Sequence, residues 1–176
     1  MRRAISLAGL GIALASVAIS TGSVRPAPIK VVETYERKCS SCHGREGAML
    51  DKDFEKKYAS PSELREVVES MPGAIGMRSD DLDAMMAYIR AVSRREPFVV
   101  WTGRQGDALL GEVSPATAKV EARAKREKLR VERPQSNQWR IVLPKGVRPE
   151  EVELTAQRGT LRTTLRLKDS PYSHTK

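Results

Sequence analysis

Hydrophobic and polar positions along this 176-residue chain follow three different rhythms. A largely apolar stretch runs from Ala4 to Ile19 behind Arg2-Arg3. A helical rhythm comes next. Ser60-Pro61-Ser62-Glu63 combines a capping serine, proline at the first helical position and glutamate at the third, which predicts a helix to Ser70. Ser79 predicts a second cap, with Asp80 and Asp81 in the first turn, where the helix dipole favours carboxylates. Behind it Leu82, Met85, Met86, Ile89 and Val92 recur at helical spacing, and Arg90, Arg94 and Arg95 close the segment. Phe98 to Trp101 is a short apolar run suited to a strand or to packing back onto the preceding segment. Ser114-Pro115 predicts another helix start, running to Arg130. Apart from alanine its apolar residues are Val120 and Leu129, so it reads as a solvated helix. From Val131 the period becomes two. Strands are predicted over 139–143, 151–156 and 160–168, with turns at Pro144-Lys145-Gly146 and Gln157-Arg158-Gly159. In the last strand Leu161, Thr163, Leu165 and Leu167 share a face. A three-stranded meander is marginal alone, so it needs a helix, the preceding segment or a partner to lean on.

One motif carries chemistry. Cys39-Ser40-Ser41-Cys42-His43-Gly44 reads C-x-x-C-H, the signature of covalent haem attachment. Two thiols three positions apart can add to the two vinyl groups on one porphyrin edge, and the following imidazole can bind the iron. The competing readings are weaker. Structural zinc takes four ligands, and beyond Cys39, Cys42 and His43 the chain offers only His174, in a polar tail. A redox C-x-x-C of the thioredoxin type belongs beside a βαβ pattern, and none surrounds this one.

Around the motif, residues 29–97 resemble a small single-haem bacterial cytochrome c of the class I, His/Met kind. Four pieces carry the likeness: KVVETYERKC over 30–39, read as a helix with Tyr35 four residues before Cys39; CSSCHGREG, with Gly44 and Gly47; the helix opened by Ser60-Pro61; and MPGAIGMRSDDLDAMMAYIRAVSR. The resemblance implies one covalently bound haem c on Cys39 and Cys42, with His43 and Met71 as axial ligands. Met71 precedes Pro72 and Gly73, so it belongs to a loop, and it stands 17 residues before Tyr88, the separation the family leads one to expect. Met77 is the competing ligand, and an open iron site is the other alternative. Met49 lies too close to His43 in sequence, and Met85 and Met86 belong to a helix face. The family pattern is broken at Val31, where a small residue is expected, which predicts a wider crossing of the first and last helices. The short connection from His43 to Met71 predicts an exposed haem edge.

Charge and termini complete the picture. The net charge is +9, but residues 28–97 hold 12 Lys/Arg against 13 Asp/Glu, whereas 98–176 hold 16 against 9. Basicity therefore belongs to the second half. Arg2-Arg3 and the apolar stretch predict a signal peptide over 1–20, cleaved on export to the periplasm, with an uncleaved anchor as the alternative. Residues 21–28 read as a flexible lead-in, 29–97 as the haem domain, 98–130 as a linker with a basic helix, and 131–176 as a small β-rich extension. The expected fold class is a mainly α haem domain followed by a small α+β extension with an antiparallel β meander. The expected function is one-electron transfer between a dehydrogenase and an oxidase or other acceptor; a haem enzyme or sensor with an open iron position is the alternative. Enzymatic catalysis is the less favoured reading, since no Ser/His/Asp set is available. Expected partners are redox proteins, acidic ones included, and a membrane surface is open to the basic extension. Export argues against nucleic acid.

Overall fold

The computed structural model describes residues 28–171. The signal peptide read over 1–20, the lead-in up to residue 27 and His174 lie outside the described residues.

The chain enters through α1 (Val31–Lys38), which buries Val31, Val32, Thr34 and Tyr35. A single turn, α2 (Ser40–His43), follows directly after Cys39. Two 3-10 turns, Arg45–Gly47 and Phe54–Lys57, lead to α3 (Pro61–Ser70). Here Ser60 Oγ accepts from the Glu63 amide at 3.1 Å, and the Glu63 carboxylate accepts from the Ala59 amide at 2.5 Å. Both bonds satisfy amides that a helix start leaves without a partner. In α4 (Ser79–Arg94), Ser79 is the first helical residue and Arg78 occupies the cap instead. The apolar stripe from Leu82 to Val92 is buried as its spacing predicts. It meets Val31 and Tyr35 of α1 and Leu64 and Val68 of α3 in one core.

The rest of the described chain is β. Its strands are β1 (Phe98–Gln105), β2 (Ala108–Ser114), β3 (Lys119–Ala124), β4 (Glu127–Leu129), β5 (Val131–Glu132), β6 (Gln138–Val142), β7 (Val152–Arg158) and β8 (Leu161–Arg166). They form two antiparallel four-stranded sheets, ordered β1-β2-β6-β5 and β4-β3-β7-β8. Trp101, Leu109, Trp139 and Ile141 from the first sheet share a core with Ala122, Leu154 and Ala156 from the second, so the sheets pack face to face. The alternation of side chains along β1 ties this sandwich to the helices. Val99 and Trp101 face the second sheet, whereas Phe98 and Val100 belong to the helical core. The layers are therefore helices, first sheet and second sheet.

The expected fold class is corrected by this architecture. The described residues are not a mainly α cytochrome c-like fold with a small appendage. They hold four α-helices, of which only α4 exceeds ten residues, and two full antiparallel sheets. The basic helix expected over 115–130 is the β3–β4 hairpin. Ala122 and Ala124 are buried at alternate positions with the exposed Arg123 between them, and Lys125 turns the chain at φ 57°. The three-stranded meander is also corrected. Strands occur near all three expected places, but β6 pairs with β2 and β5, whereas β7 pairs with β3 and β8. The Pro144–Gly146 turn thus carries the chain from one sheet to the other.

Two polar contacts pin the helices to the first sheet, both from β2. The Glu112 carboxylate accepts from the amides of Val32 at 3.0 Å and Glu33 at 3.2 Å. It caps α1, whose own Lys30 supplies no side-chain cap. Two residues on, Ser114 Oγ lies 3.3 Å from the buried Tyr88 hydroxyl.

Candidate functional site

The helical layer contains an apolar cleft of about 130 Å³. Cys39, His43 and Met71 all line it, as does Met77. The remaining wall is apolar: Leu50 and Phe54 from the loop after the motif, Leu64 and Val68 from α3, Met85 and Ile89 from α4. Cys42 is exposed and lies outside this lining, while Cys39 is half-buried.

Local chemistry positions each of these groups. Tyr35, at the base of the cleft, stacks edge-on against Tyr88 with ring centroids 5.0 Å apart, and Tyr88 in turn meets Phe98 at 5.1 Å. The C-x-x-C-H turn grows directly from the end of α1, where the Cys39 amide donates to the Tyr35 carbonyl at 2.8 Å. The following loop is drawn onto α4 by Arg95, which donates to the carbonyl of Gly47 at 3.0 Å and to that of Leu50. Gly47 makes that approach possible. It has φ +70°, and a Cβ there would sit 2.1 Å from Val92 Cγ1. The second 3-10 turn is held by the same helix end: the Glu55 amide donates to Ser93 Oγ at 3.0 Å, and Arg94 pairs with Glu55 at 2.5 Å. Opposite, α3 ends at Met71 because Pro72 follows it, and Met71 takes an extended ψ of 140°. The loop then passes close over the first cysteine, so that a Cβ on Gly73 would lie 3.1 Å from Cys39 Sγ.

The electrostatics separate the readings of the motif. Burial pushes the Cys39 thiol up, outweighing the nearby Lys38. Cysteines that do thiol–disulfide chemistry have lowered values instead. Among the described residues, no group of three or more His, Cys, Asp or Glu is placed to hold a metal ion. The Tyr35 phenol, pushed up to about 12 by burial first and by Cys39 and Glu36 next, stays protonated. Its hydroxyl is buried and has no hydrogen-bond partner among the described residues. An orphaned donor of this kind costs about 1–3 kcal/mol unless something satisfies it. An apolar lining with an imidazole, two loop thioethers and a half-buried thiol is the donor set that a large apolar cofactor with a metal centre would use.

No family model matches the chain, and no curated protein or solved structure matches it either. The reading of the cleft therefore rests on its residues.

Of the residues singled out in the sequence, Cys39, His43 and Met71 converge on this cleft, and Cys42 stands just outside it. Met49 is 73% exposed, away from the cleft. Met85 lines the cleft from α4, in addition to filling the core. Sequence reasoning missed the wall residues Leu50, Phe54 and Tyr58, which sit in 3-10 turns and loops with no period to betray them. It also missed Glu112, a lone acid in a strand.

Proposed function

We propose that this chain carries one haem c, held covalently by Cys39 and Cys42, and works as a periplasmic one-electron carrier. It would pass electrons between a dehydrogenase and an oxidase or other acceptor. The observation that carries the reading is the convergence of Cys39, His43 and Met71 on one apolar cleft in which the Tyr35 hydroxyl lacks a partner. When bound, the haem supplies the ferric/ferrous couple.

The chain's own residues then have distinct tasks. Cys39 and Cys42 would hold the cofactor covalently, Cys39 from the cleft lining and Cys42 from the exposed side of the turn. His43 offers an imidazole nitrogen. Met71 offers a soft thioether, a donor that raises the potential relative to a second imidazole. Leu50, Phe54, Leu64, Val68 and Ile89 exclude water and lower the local dielectric, which favours the less charged state of the centre. Tyr35 offers a hydrogen bond from within the wall. Arg95, Ser93 and Glu55 keep the loop that forms one side of the cleft seated on α4. The Gly73–Met77 loop, with Ile75 70% exposed, supplies an apolar contact beside the cleft mouth for a brief redox encounter.

The test is expression of the full chain in a host with a covalent haem attachment system. The expected result is a band that retains haem through denaturing electrophoresis and an absorption spectrum of a low-spin c-type haem. Both should vanish in Cys39→Ala/Cys42→Ala. A wild-type chain that leaves this host without covalently bound haem would end the proposal.

A further inference from the structure

A pattern of charge lies on the outer face of the second sheet, on the side of the sandwich away from the helical core. Strand register puts its residues in rows. Lys128, Arg123, Glu153 and Arg166 stand opposite one another across all four strands. Two residues along lie Glu121, Thr155 and Thr164, and beyond them Lys119, Gln157 and Arg162. Residues directly opposite in an antiparallel ladder point to the same side. Their inward neighbours Ala122, Leu154 and Leu165 belong to the sandwich core, so these rows face outward, with Thr155 covered by Arg162, which donates to its hydroxyl. The face carries five exposed basic side chains against two acidic ones: Lys119 and Lys128 stand beside Glu121 and Arg166 beside Glu153, which leaves a surplus of three positive charges. Its rows hold threonine and glutamine between the charges and no aromatic residue.

We propose that this sheet face is a docking surface for an anionic phospholipid bilayer. Protein partners are gripped at aromatic or arginine anchors; this face has no aromatic residue, and two of its three arginines are engaged on the sheet itself, Arg162 with Thr155 and Arg166 with Glu153. A flat, diffuse anionic plane matches it by charge alone, as basic segments match acidic lipid surfaces. The layer order gives the consequence. The cleft is lined wholly by residues 35–89, in the layer beyond the first sheet, and none of its lining belongs to either sheet. Chain docked through the second sheet presents the cleft mouth and Ile75 away from the lipid. Tethering and electron exchange then use opposite sides of one molecule. The docking face itself does not depend on the haem reading; the purpose of this orientation does.

The experiment is co-sedimentation of the mature chain with vesicles of equimolar phosphatidylcholine and phosphatidylglycerol at low salt, with pure phosphatidylcholine vesicles as reference. Arg123→Gln/Lys128→Gln removes two positive charges from the face without setting a carboxylate opposite Glu153. Arg37→Gln/Lys52→Gln makes the same net change on exposed residues of the helical layer. The expected result is binding to the anionic vesicles only, weakened about tenfold or more by the sheet pair and much less by the helical pair. Equal loss from both pairs would mean that net charge alone drives binding and would overturn the assignment. Absence of binding to anionic vesicles would overturn it too and leave the face to an acidic protein. Orientation is read in a Cys39→Ala/Cys42→Ala background, which needs no haem. Maleimide labelling of Thr164→Cys should slow on vesicles while that of Ile75→Cys does not, and the reverse order would refute the orientation. Haem absorbance of the pelleted wild-type chain reports on the other proposal separately.

Discussion

Four residues allow the cleft and the loop beside it to be tested one at a time. The Tyr35 hydroxyl is buried without a partner, so its removal should not weaken the haem-free chain. Tyr35→Phe is expected to leave apo stability unchanged or raise it by up to about 1 kcal/mol, by urea titration. If the proposed haem gives the phenol a partner, the same change should lower the stability of the haem-loaded chain. Equal effects in both forms would remove Tyr35 from the site. Met71 and Met77 compete for the same role, and both line the cleft. Met71→Ala should abolish the ferric methionine–iron charge-transfer band, and Met77→Ala should leave it; the opposite pattern would transfer the ligand role to Met77. Gly47 is a steric matter. Its left-handed backbone and the 2.1 Å approach of Val92 leave no room for a Cβ. Gly47→Ala should cost at least about 2 kcal/mol of unfolding free energy, from overpacking together with backbone strain.

At the scale of elements, Glu112 shows how a strand completes a helix. Its carboxylate caps α1, yet burial outweighs the amide bonds and holds its carboxyl above the usual carboxylate range. The sign of the pH effect follows. Unfolded chain loses this proton near pH 4.3, whereas folded chain keeps it to higher pH. Between the two values the folded state binds more protons, so this group's contribution to stability falls as pH rises and levels off above the folded value. Glu112→Gln keeps an acceptor for the α1 amides and removes the charge. It should flatten that slope and match or exceed the wild type at neutral pH. Glu112→Ala strips the cap and should cost about 1 kcal/mol or more. Urea midpoints of the three proteins across the weakly acidic range provide the check, and an unchanged slope in the glutamine variant would refute the account. The elements themselves were unevenly legible. Caps and the 3.6 period marked α3 and α4, because such signals are local. The β3–β4 hairpin was not legible, since alanine serves a helix and a tightly packed sheet equally well. The pairing of β2 with β6 was invisible, because ladder partners some thirty residues apart leave no mark on either segment. The same division holds for the site. The spacing of Cys39, Cys42 and His43 is a local pattern that can be read directly, while the cleft wall is assembled by tertiary packing and cannot.

At the scale of the whole molecule, the question is whether helices and sandwich are independent bodies. The layers argue that they are not. Phe98 and Val100 of β1 are 5% and 1% exposed within the helical core, and Glu112 and Ser114 of β2 hold α1 and Tyr88. Removing an aromatic of this kind from a core typically costs about 3–5 kcal/mol, a large part of the stability of a small domain. The two layers should therefore unfold together. The chain supplies its own reporters, because both of its tryptophans, Trp101 and Trp139, lie in the sandwich core. Far-ultraviolet ellipticity at the helical minimum follows α1, α3 and α4. In a urea titration the two signals should trace one transition with a common midpoint. Phe98→Ala should move both midpoints down together, although the residue belongs to the helical core and neither tryptophan touches that core. Loss of the helical signal ahead of the fluorescence change, in wild type or variant, would show that the sandwich stands alone. In that case the helices would be a guest on the sandwich, and the cleft would be ordered only when its cofactor is bound.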